Sequence, residues 1–112
     1  MPTFGEIISE KRKKAGLSQK ELATRVTKED GKPISPQYLN DIERDRRNPP
    51  SEHLIEQFAS ILSIAPETLY YCAGELPPSV RYEDVSERMI AEAFKEFRKV
   101  IERKDPFDCC SA

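Results

Sequence analysis

Helix-start residues recur along the first two thirds of this chain, at Ser18, at Ser35 followed by Pro36, at Ser51 and at Pro66. This recurrence constrains the fold more than any other feature. An N-cap serine accepts from a backbone N–H that the helix cannot satisfy itself, and a proline at the first helical position gives up no hydrogen bond. Apolar residues follow each signal at helical spacing. Phe4, Ile7 and Ile8 mark a first helix to Ala15, with Gly16 just past its end. Ser18 and Glu21 form a capping box ahead of Leu22, Ala23 and Val26. Leu39 and Ile42 mark a third helix, and Leu54, Ile55, Phe58, Ala59 and Leu62 a fourth. Leu69 and Tyr70 belong to a short fifth, and Gly74 to Pro78 closes the block. The fold class expected is all-α: five short helices, then one more amphipathic helix from about Asp84 to Lys104, stopped by Asp105-Pro106.

With 112 residues, no tryptophan and five phenylalanines, such a block has a small and mostly aliphatic core. No apolar run reaches the roughly 18 residues of a membrane span. Met1 to Glu6 lacks the basic-then-apolar pattern of a signal peptide. The cytoplasm is therefore the expected location, with no membrane contact. Cys72, Cys109 and Cys110 are odd in number and irregular in spacing, which is no disulfide framework. The last four residues are too short a likeness to a prenylation box to outweigh this. No metal or other cofactor is expected, and no Ser/His or Cys/His set or phosphate-binding glycine loop marks an enzyme. The single histidine, His53, is read as a surface or helix residue.

A net charge of −2 argues on its own against nucleic acid, but the distribution does not. Residues 1–50 carry 11 Lys/Arg against 8 Asp/Glu, a balance of +3. Residues 51–112 carry 7 against 12, a balance of −5. The basic run Lys11 to Lys14 reads either as compensation of a helix dipole or as a DNA contact.

Three stretches in order carry a resemblance: Gly16-Leu17-Ser18-Gln19-Lys20-Glu21-Leu22-Ala23, then Ile34 to Glu43, then Arg44 to Pro49. The chain resembles the phage repressor and Cro-type helix-turn-helix family of transcriptional regulators over about Phe4 to Leu76. The resemblance implies a DNA-binding domain over residues 1–76, with 77–112 supplying a linker, a dimerisation helix and a polar tail. It implies a third helix lying in the major groove, about 12 Å wide, while the second crosses the backbone. Double-stranded DNA is then the partner.

Site residues follow from the same likeness. On the third helix Pro36, Gln37, Tyr38 and Asn40 are the base-contacting candidates, since the amides of Gln37 and Asn40 match adenine at two points. Pro36 offers its ring to a thymine methyl. Tyr38 either stacks on the sugar-phosphate backbone or is partly buried against the second helix. Asp41 either accepts from a cytosine amino group or faces away, and the second is preferred because a carboxylate near phosphates is repelled. Gln19, Ser35, Arg44, Arg46 and Arg47 stand where relatives meet phosphates. Arg12 and Glu43 hold the family positions of a buried ion pair between the first and third helices. The departure from the family is about six extra residues, Thr27 to Lys32, turning at Asp30-Gly31. They either bring Lys28 and Lys32 to phosphate or form a tolerated surface insertion.

Ile90, Phe94, Phe97 and Ile101 are spaced 4, 3 and 4 on the last helix, a two-heptad seam. They pack back on the five-helix block or against a second chain, and a homodimer on a palindromic operator is the preferred reading. Its rival is an antitoxin-like or adaptor module whose last helix holds a different protein.

Overall fold

The computed structural model describes residues 2–47 and 50–103. Among these there are six α-helices: α1 Phe4–Lys14, α2 Gln19–Arg25, α3 Pro36–Glu43, α4 Glu52–Leu62, α5 Pro66–Cys72 and α6 Glu87–Glu102, with a short 3-10 turn at Pro78–Val80. The described residues divide into two compact units, residues 2–78 and residues 79–103. Cys109, Cys110 and the expected stop at Asp105-Pro106 lie outside the described residues.

The caps Ser18, Ser35 and Ser51 are those the sequence sets out, while Thr3 caps α1 by accepting from the Glu6 N–H. Ser18 accepts from the Glu21 N–H while Glu21 accepts from the Ser18 N–H, and that hydrogen bond holds the Glu21 carboxyl below its ordinary pKa. Ser35 accepts from Tyr38 N–H and Ser51 from Leu54 N–H, with Pro36 and Pro66 in first turns. Gly16 takes the left-handed conformation past α1. Helix α6 starts three residues later than expected, because Ser86 caps it by accepting from Met89 N–H.

The core of the first unit gathers Phe4, Ile7, Ile8, Leu22, Ala23, Val26, Leu39, Ile42, Leu54, Ile55, Phe58, Ala59, Leu62, Leu69 and Tyr70. Ile34 and Ile64, which the helical spacing leaves out, are also buried. Both lie in connections, where periodicity gives no signal. Phe4 and Phe58 meet edge to face at 6.4 Å, joining α1 to α4. Tyr70 is buried with its hydroxyl donating to Glu56 at 2.9 Å.

Helix α3 ends on Asp45, which takes the left-handed conformation (φ 56°) that glycine more often supplies. The Arg46 N–H donates to the Asp41 carbonyl and the Asp45 N–H to the Ile42 carbonyl, closing the helix. The Asp45 carboxylate then accepts from Thr3 Oγ1 at 2.6 Å and Gly5 N–H at 3.0 Å. One residue thus stops α3 and caps α1. Gly5 permits the approach, since a Cβ there would lie 2.6 Å from the Glu43 carbonyl oxygen and also strike that of Ile42.

Arg12 and Glu43 form a buried two-point ion pair, Nε to Oε2 at 2.7 Å and Nη2 to Oε1 at 3.1 Å. The third arginine contact, Nη1 to the Leu17 carbonyl at 2.8 Å, fixes the α1–α2 turn as well.

Two substitutions test this frame by thermal unfolding. Gly5→Ala should cost about 1–3 kcal/mol, since backbone oxygens cannot step aside as a side chain can. An unchanged midpoint would mean that α1 and α3 separate freely. Arg12→Met should cost about 3–5 kcal/mol by leaving Glu43 buried without its cation. A variant as stable as the parent would show that this pair does not hold the helices together.

Candidate nucleic-acid interface

The positions expected to meet DNA fall on four pieces: the start of α2, the connection from α2 to α3, the exposed side of α3, and the turn after it. Contacts of α2 and α1 with α3 hold the third helix between them. Leu22, Leu39 and Ile42 are buried beneath it, so its outer face is free to present side chains.

Gln37 is exposed in the first turn of α3, and its Nε2 donates to Asp41 Oδ1 at 3.2 Å. Asp41 therefore shares the face of Gln37, contrary to the expectation that it faces away. Its charge is offset in place, with Arg47 Nε 3.6 Å from Oδ2. Arg47 also lies over the ring of Tyr38, 4.9 Å from its centroid. Tyr38 is half-buried against the core, so the second of its two readings describes the ring better. An aromatic ring, a carboxylate and a guanidinium thus brace one another beside Gln37.

Asn40 and Gln19 are drawn into the fold more than expected. Gln19 Nε2 donates to Asn40 Oδ1 at 3.2 Å and to Glu43 Oε1 at 3.1 Å. Asn40 Oδ1 also accepts from Arg44 Nε at 3.3 Å. The amide oxygen that a two-point contact with adenine requires already has two donors. Gln19 thus extends the Arg12–Glu43 pair by one link to α2.

Pro36 and Ser35 are exposed at the N-terminal end of α3, and Ser35 is occupied as its cap. Arg44, Arg46 and Arg47 are all exposed in the turn that follows. Arg46 makes no side-chain hydrogen bond or ion pair among the described residues.

The extra residues between α2 and α3 are more ordered than an open loop. Thr27 and Pro33 form an antiparallel bridge, Lys28 N–H donates to the Lys32 carbonyl, and Gly31 takes a positive φ at the tip. Buried Val26 and Ile34 anchor the base. Helix α4 holds the side, with Gln57 Oε1 accepting from Thr27 and His53 Nε2 2.9 Å from the Thr27 carbonyl oxygen. His53 is thus a tether rather than a plain surface residue. Lys28, Glu29 and Asp30 line a shallow cleft with Ser51 and Leu54, at the start of α4. Lys28 and Lys32 are exposed.

On the separate second unit, Ile90, Phe94, Phe97 and Ile101 are all exposed, and no residue of α6 is buried. Among the described residues no group of His, Cys, Asp and Glu could hold a metal ion, and no helix is long and apolar enough to cross a membrane.

Residues 8–69 match the family model described as "Helix-turn-helix". The chain is 34% identical over 107 residues to the immunity repressor protein of Bacillus phage phi105, an alignment covering 92% of this chain and 67% of that protein. It is 33% identical to an uncharacterized HTH-type transcriptional regulator of Mycobacterium tuberculosis, over 82% of this chain and 64% of that one. The chain thus spans about two thirds of the length of these relatives. A solved SinR protein/SinI protein complex contains a chain of similar fold, with a TM-score of 0.50 and 24% identity over 88% of this chain and 91% of that one. This chain belongs to the helix-turn-helix family of DNA-binding transcriptional regulators.

Gln19 offers a test of structural against phosphate-binding work. Gln19→Ala removes a donor from the buried Glu43 carboxylate, which should lower stability by about 1.5–3 kcal/mol in the absence of any DNA. A thermal midpoint equal to that of the parent would show that these bonds do not support the fold.

Proposed function

We propose that this regulator is a repressor that binds a palindromic operator as a homodimer, each copy placing α3 in the major groove. The observation that carries this reading is the pairing of an exposed Gln37 in the first turn of α3 with an exposed arginine cluster directly after the helix. The first can read a base edge, and the second can set the helix on the backbone. Gln37 is the leading base-reading residue. Its bond to Asp41 lies at the surface and can be exchanged for a base. Pro36 and Tyr38 flank it, while Asn40 supports it from within the Gln19–Arg44 network. Phosphates fall to Arg44, Arg46 and Arg47, to Ser35 and the positive end of α3, and to Lys28 and Lys32 on the hairpin. The acidic second half of the sequence weakens indiscriminate binding and leaves affinity to this local basic face.

Two substitutions separate the roles on an operator selected from random DNA. Gln37→Ala should cost about 1–3 kcal/mol of binding and relax preference at one base pair per half-site. Arg46→Ala should weaken binding to all sequences alike and flatten its salt dependence. Binding unchanged in both variants would remove α3 from the groove.

A further inference from the structure

The apolar seam of α6 reads the same in both directions. From Ile90 to Ile101 the order is Ile, Phe, Phe, Ile at intervals of four, three and four residues. In the middle, Phe94 and Phe97 meet edge to face at 6.4 Å, so the seam is centred on that ring pair. Antiparallel helix pairs set an a position of one chain against a d position of the other. Here that rule places Ile90 on Ile101 and Phe94 on Phe97, like on like.

We propose that α6 pairs antiparallel with α6 of a second copy, about a two-fold axis passing between Phe94 and Phe97. This rests on the homodimer reading above and adds its geometry. A two-fold contact demands a surface complementary to itself, and a palindromic seam meets that demand.

A parallel pair would also stack like on like, and charge decides against it. One heptad before Phe94, in the same a column, stands Glu87. In a parallel pair the two Glu87 carboxylates face each other across the seam; in an antiparallel pair they lie at opposite ends. The first half of α6, to Phe94, carries an excess of one negative charge, and the second half, Lys95 to Glu102, an excess of one positive. Antiparallel pairing sets each half against its opposite in sign.

The same geometry serves the DNA. At 1.5 Å per residue, the two Glu87 positions of an antiparallel pair stand about 26 Å apart along the axis. Half-sites one turn apart on one face of the duplex are separated by about 34 Å. The chains thus leave the helix pair already spread towards that spacing. Parallel helices would release them about 8–10 Å apart.

Cysteine cross-linking reads the orientation directly. In protein carrying Cys72→Ala, Cys109→Ser and Cys110→Ser, Ile90→Cys and Ile101→Cys are introduced separately and the two variants mixed before mild oxidation. An antiparallel pair joins Cys at 90 to Cys at 101 of the other copy, so the mixture should yield a cross-linked heterodimer and neither variant alone should cross-link. Two Cys at 90 would be about 17 Å apart, beyond the reach of a disulfide. Dimers formed by each variant alone would overturn the antiparallel arrangement and leave the homodimer standing. Light scattering at micromolar concentration on the unaltered chain tests the homodimer itself. A monomer there overturns both, and a dimer that cross-links in neither way places its interface away from this seam.

Discussion

The Arg12 guanidinium is the point on which the DNA-facing geometry depends. It reaches Glu43 by two bonds and the Leu17 carbonyl by a third, tying α1, the following turn and the end of α3 together. Gln19 adds α2 to the same carboxylate. Packing alone would hold these helices near one another, but apolar contacts are non-directional and tolerate sliding. Charged hydrogen bonds at fixed angles do not. A buried pair is weak support for stability against an apolar replacement of equal volume, yet leaving one member alone is severe. Its contribution here is to the angle between helices, the quantity that a groove-reading helix needs.

The same economy appears at the other end of α1. Asp45 closes α3 through its backbone and caps α1 through its side chain, while Gly5 keeps the two backbones close. Together Arg12 and Asp45 clamp the two ends of α1 against the C-terminal end of α3. The reading face outside this clamp is built from softer contacts: Gln37 to Asp41, Asp41 to Arg47, and Arg47 on Tyr38. Surface bonds of this kind contribute little to stability and exchange readily with a ligand. A rigid inner frame under an adaptable outer layer suits a surface that must settle onto DNA without losing its alignment.

The helix-turn-helix inventory was legible in the residues because caps and apolar spacing are local. Ser18, Ser35, Ser51, Pro36 and Pro66 each act within one turn, and the core positions on helices repeat at a fixed interval. Ile34 and Ile64 escaped that reading because they lie in connections, and Asp45 escaped it because an aspartate in place of glycine has no distinctive signature. The expected roles of Gln19 and Asn40 shifted for a related reason. Both are polar residues at exposed-looking spacings, and only the approach of α2 to α3 turns their amides on each other.

What the sequence alone determined, then, was the number and order of helices, the caps of α2, α3 and α4, the apolar seam of α6 and the family to which the chain belongs. These follow from interactions between residues a few positions apart, or from residue order itself. The tertiary structure decided the rest: that the residues between α2 and α3 form a hairpin held by His53 and Gln57, that Asp41 lies beside Gln37 under Arg47, and that Asp45 joins two helix ends. Each joins groups whose contact depends on how helices or turns are placed against one another, and residue type alone does not fix which polar group finds which partner. Apolar burial requires only the right kind of side chain on the right face, whereas a hydrogen bond requires one particular atom in one particular place.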